Sequence, residues 1–82
     1  MEPDVIKTLI EAGIPQAKVE VVDTTGTKDH FSAIVISDLF EGLSLVEQHQ
    51  TVYKAVGNHL TKEIHALQLN TYSLAQWAQH NS

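Results

Sequence analysis

The sequence predicts an α+β domain with elements in the order α-β-β-α-β-α, and three observations carry that reading. Apolar residues recur at helical spacing in two segments, Val5–Ile10 before Gly13 and Val46–Leu60. Between them lie two β-branched runs, Val19–Val22 and Ala33–Ile36, separated by a short polar stretch containing Gly26. Two serine-led capping boxes, Ser44 with Glu47 and Ser73 with Gln76, mark where later helices begin.

Pro3 stands where a first helix tolerates it, and Val5, Ile6, Leu9 and Ile10 follow. Gly13 and Pro15 stop the pattern, so the helix is expected to end near Ala12. Lys18–Asp23 is expected as strand one. Thr24–Asp29 is a connector, and Phe31–Ser37, with its continuous apolar run, is a central strand. The short loop predicts that the two strands form an antiparallel hairpin. Asp38–Gly42 reads as a turn. The main helix is expected over Leu45–Leu60, with Val46, Val52 or Tyr53, and Val56 facing the sheet. Ile64–Asn70 alternates and reads as strand three, with His65, Leu67 and Leu69 on one side. A closing helix holds Leu74 and Trp77.

The connection from strand two to strand three contains a helix of about four turns, which normally returns the chain parallel. If those strands are neighbours, their N-terminal ends meet at one edge of the sheet. His30, just before strand two, and His65, at the start of strand three, then come together.

Composition narrows the function. Residues 1–82 read as a single domain, 43% hydrophobic and 18% charged. Five lysines, no arginine and ten acids give a net charge of -5. Nucleic-acid binders neutralise phosphates with Lys and Arg, so this balance disfavours such a partner. No apolar run is long enough to span a bilayer, and Met1–Ile10 lacks a signal-peptide core, so a cytoplasmic location without membrane partners is expected. With no cysteine, any soft-metal chemistry uses histidine or borrows sulfur from a partner.

Of five histidines, His59 and His80 lie near helix ends and read as structural. His49 falls on the apolar stripe, where a half-buried, hydrogen-bonded imidazole is the expectation. His30 and His65 read either as ordinary surface or core residues or as half of a metal site, since two imidazoles cannot close a tetrahedral site. Asp29, His30 and Ser32 do not form a catalytic triad, and no nucleophile elbow, P-loop or dinucleotide fingerprint is present. The chain reads as a binding protein rather than an enzyme, with no catalytic residues.

Three stretches together resemble the BolA family: Asp29-His30-Phe31 through Ser37; Phe40-Glu41-Gly42 continuing to Tyr53; and Ile64-His65-Ala66-Leu67 followed by Thr71-Tyr72-Ser73 and Trp77. The resemblance covers nearly the whole chain in order. It implies a class II KH-like fold, a three-stranded mixed sheet with helices packed on one face. It implies partnership with a monothiol glutaredoxin of the C-G-F-S type and a shared [2Fe-2S] cluster, with further sulfur from glutathione and no cofactor needed for folding. His65 is the implied ligand, and His30 occupies the place of the second. His49, Phe40 and Gly42 are the implied structural or interface positions, and a homodimer is an alternative assembly. The resemblance also implies DNA-linked transcriptional regulation, but the arginines that often flank the family's helix histidine are Gln48 and Gln50 here, and no G-x-x-G loop is present. The leading expectation is therefore an adaptor in iron–sulfur trafficking or iron sensing, with a nucleic-acid-binding regulator as runner-up.

Overall fold

The structure is a computed structural model that describes residues 2–26, 30–57 and 66–80. Helix α1 (Pro3–Gly13) leads into β1 (Lys18–Asp23) and β2 (His30–Ile36). A 3-10 turn (Asp38–Phe40) precedes α2 (Leu45–Val56), β3 (Ala66–Tyr72) and α3 (Leu74–His80). The sheet order is β1-β2-β3, with β1 and β2 antiparallel and β2 and β3 parallel, as the sequence predicts.

Alternation along the strands divides the sheet into two faces. Val19, Phe31, Ala33, Val35, Leu69 and Thr71 point to the buried face. Ile6 and Ile10 of α1 and Val52 and Val56 of α2 share the core with that face. The two helices approach closely because Gly13 has no side chain. A β-carbon there would lie 2.5 Å from the β-carbon of Ala55. The sequence marks Gly13 as a stop signal, but its main duty is this contact.

The sheet-facing stripe of α2 differs from the expected one. Val46 is 65% exposed and Tyr53 is 38% exposed, while Gln48 is buried with Val52 and Val56. The inward residues run at i, i+4, i+8, and the apolar reading passed over Gln48 because it is polar. Burial of Gln48 is permitted because its amide is satisfied: Nε2 donates to the Leu43 carbonyl (3.2 Å) and to Gln76 Oε1 (3.3 Å), and Oε1 accepts from Thr71 Oγ1 (2.8 Å).

Both capping boxes form. Ser44 N donates to Glu47 Oε1 (2.9 Å) and Glu47 N to Ser44 Oγ (3.2 Å). Ser73 N donates to Gln76 Oε1 (2.8 Å) and Gln76 N to Ser73 Oγ (3.1 Å). The third strand is described from Ala66 to Tyr72, two residues past the expected end at Asn70. Positions 58–60 and 64–65 of the expected helix and strand lie outside the described residues. Helix α3 carries no buried residue and is held partly by aromatic contacts among Tyr72, Trp77 and His80, with ring centroids 5.0–5.4 Å apart. Among the described residues, no helix is long and apolar enough to cross a membrane.

Candidate functional site

His30 is the first residue of β2, and backbone bonding at the hairpin sets it there. Asp23 closes β1 and its Oδ1 accepts the amides of Thr25 (3.2 Å) and Gly26 (2.9 Å), turning the chain. Thr24 then donates twice to the His30 carbonyl, through its amide (3.0 Å) and its hydroxyl (3.2 Å). The half-buried imidazole thus starts from an anchored backbone.

In the parallel ladder His30 pairs with Ala66. The residue before Ala66 in the chain is His65, which lies outside the described residues, as does His59. The adjacency on which the two-histidine reading depends is therefore present: β2 and β3 are neighbours and begin at the same edge of the sheet.

The other candidates lie elsewhere. Phe40 is fully buried at the opposite end of β2, so its ring serves the core and is not available to a partner. Gly42 has φ +80° with open space around its α-carbon, which makes it a turn former. His49 is half-buried on α2, as expected, but its Nε2 is buried with no hydrogen-bond partner among the described residues, where a bonded imidazole was expected. His80 stacks on Trp77 at 27°. The carboxyl of Glu47 is held below the usual glutamate range, first by the Ser44 amide and then by its hydroxyl.

The position of Gln48 bears on nucleic-acid contacts. Its side chain points into the protein, so a basic group missing at this position is not a surface phosphate contact removed; Gln50 is the exposed one of the two glutamines. The Gln48–Thr71–Gln76 network was missed at the level of sequence. Its one signal is that Gln48 stands four residues before Val52 and eight before Val56.

Of the two candidate donors, His30 is described at this end of the sheet. Among the described residues, no group of three or more His, Cys, Asp or Glu side chains is placed to hold a metal ion. The chain has no cysteine. Imidazole is a borderline donor, and a site built on it in a cysteine-free chain takes its thiolates from a second molecule.

Known proteins share this arrangement of elements. Residues 10–76 match the model of the family described as BolA-like protein. The "DNA-binding transcriptional regulator BolA" of Escherichia coli K12 is 29% identical over 79 residues, covering 88% of this chain and 75% of that protein. The "acid stress protein IbaG" of the same strain is 31% identical over 80 residues, covering 96% of this chain and 92% of the relative. The structure of a BolA protein homologue from Coxiella burnetii superimposes with a TM-score of 0.83 at 33% identity, covering 95% of this chain and 97% of the other.

Proposed function

The chain belongs to the BolA family, and from that premise we propose that it is an adaptor that pairs with a monothiol glutaredoxin of the C-G-F-S type and shares a [2Fe-2S] cluster with it. It acts in iron–sulfur trafficking or iron sensing, in the cytoplasm, as a binding protein and not an enzyme. His65 and His30 supply the imidazole donors, and the glutaredoxin cysteine and glutathione supply the sulfur that this cysteine-free chain lacks. The cluster is cargo held between two proteins; when bound, it supplies a transferable iron–sulfur unit.

The observation that carries this reading is the parallel register in which His30 lies opposite Ala66, the residue that follows His65. What this chain contributes is position. Thr24 fixes the His30 backbone from just beyond the end of β1, and the β2–β3 ladder sets the spacing of the two strand starts. Reconstitution of the protein with a monothiol glutaredoxin, iron, sulfide and glutathione, followed by visible absorption and circular dichroism, tests it. A spectrum distinct from that of the glutaredoxin alone supports the adaptor. An unchanged spectrum and no complex count against it.

A second reading, a DNA-binding regulator, is favoured by the name of the Escherichia coli relative at 29% identity. It ranks lower here because the net charge is -5 and arginine is absent, leaving few cations to displace phosphate counterions.

A further inference from the structure

The open edge of the sheet at β1 points to a second function of the surface. We propose that β1 pairs antiparallel with β1 of a second copy of this chain, across a two-fold axis at Val19, joining two three-stranded sheets into one.

The backbone dictates the kind of partner. The β1–β2 register ends with Asp23 opposite Phe31, and one step further Thr24 N donates to the His30 carbonyl (3.0 Å). Bonded pairs alternate along an antiparallel ladder, so Lys18, Glu20 and Val22 turn their peptide groups toward β2. Val19 and Val21 therefore turn theirs outward, away from the sheet. A groove of about 520 Å³ lies beside this edge, lined by Lys7, Glu11, Lys18, Glu20, Ile36 and Trp77 among others, and a second of about 250 Å³ continues past Val21 and Val22. Outward amide and carbonyl groups in a groove fit an extended backbone.

Charge selects the occupant. A two-fold axis normal to the sheet keeps the faces matched, so it must place some residue opposite itself. Centred on Glu20, it sets two carboxylates against each other. Centred on Val21, it sets Val19 against Asp23. Centred on Val19, it sets Lys18 opposite Glu20 of the second copy, Glu20 opposite its Lys18, and Ala17 opposite its Val21. That register pairs both exposed charges with their opposites and leaves apolar residues together. It also suits the hydrogen bonding. Val19 exchanges N–H and C=O with Val19 of the second copy, and the Val21 amide donates to the Ala17 carbonyl of the second copy. The Ala17 amide needs no new partner, because it already donates to the Ile14 carbonyl (3.2 Å). The five-residue segment Ala17-Lys18-Val19-Glu20-Val21 is thus complementary to itself when reversed.

Charge exchange tests this. Lys18 and Glu20 are exposed, so Lys18→Glu and Glu20→Lys are expected to fold, which circular dichroism checks. Sedimentation equilibrium from micromolar to millimolar protein is expected to show a monomer–dimer equilibrium for the parent chain. Each single substitution sets like charges opposite each other at two places and is expected to weaken the dimer by about tenfold or more. An equimolar mixture of the two single variants, and the double variant Lys18→Glu/Glu20→Lys alone, are both expected to recover it. Hydrogen exchange of the Val19 amide is expected to slow as protein concentration rises. A parent chain that stays monomeric throughout would overturn the proposal. So would a Lys18→Glu variant that associates as tightly as the parent, a mixture that remains monomeric, or Val19 exchange independent of concentration.

Discussion

Gln48 and Thr71 share a 2.8 Å hydrogen bond in the buried layer between α2 and β3, and through Gln76 the same amide reaches α3. A polar side chain in this layer fixes the register of the helix against the strand, because sliding it leaves a buried group without a partner.

Gln48→Leu is expected to destabilise the protein by about 1–3 kcal/mol, the cost of leaving Thr71 Oγ1 without its acceptor. Thr71→Val is expected to cost a similar amount, and the double variant less than the sum. Urea denaturation of the four proteins measures the coupling. Additive losses would mean that the two groups do not act as a pair.

Gly13→Ala is expected to cost about 1–3 kcal/mol, because the added methyl group meets Ala55 and forces α1 away from α2. Ala55→Gly in the same chain should relieve the overlap and recover part of the loss. A thermal melt of each variant checks this. Unchanged stability in Gly13→Ala would show that the helices separate at no cost.

Much of this architecture is legible in the residues. Both capping boxes and the hairpin follow from local chemistry, in which few residues can satisfy the same backbone groups. The parallel return of β3 follows from the length of the crossover. The face of α2 was less legible. Val46 and Tyr53 look like core residues by hydrophobicity, while Gln48 becomes one only through partners 23 and 28 residues away. The same limit applies to Gly13, whose contact with Ala55 depends on how two helices cross. Within the candidate site, the shared edge follows from topology, and the double anchoring of His30 by Thr24 follows from hairpin geometry beyond the sequence.

The first capping box predicts an acid-sensitive contribution to stability. Glu47 bonds the Ser44 amide and hydroxyl as a carboxylate, so its folded value is lowered below its unfolded one. The stabilisation is then present above the ordinary glutamate range and is lost as pH falls through the lowered value. Thermal melts from neutral pH downward are expected to show a shallower acid limb for Glu47→Gln than for the parent. Identical limbs would assign the acid sensitivity to other carboxylates. Ser44→Ala is expected to cost about 1 kcal/mol at neutral pH.

Binding to duplex DNA is expected to be weak at physiological salt and indifferent to sequence, given the net charge of -5. Fluorescence anisotropy with labelled duplexes measures it. Sequence-specific binding in the nanomolar range typical of regulators would promote the regulator reading.

Visible circular dichroism of the cluster-loaded complex with a monothiol glutaredoxin, compared between the parent chain and His65→Ala, tests the adaptor most directly. The mixed-ligand spectrum is expected to disappear in His65→Ala. It should persist with a shorter lifetime in His30→Ala, and with altered bands in His30→Cys. His59→Ala and His80→Ala should leave it unchanged, with folding of every variant checked in the far ultraviolet. A folded His65→Ala protein that gives the parent spectrum and the parent cluster lifetime would contradict the proposed ligation and the adaptor mechanism built on it.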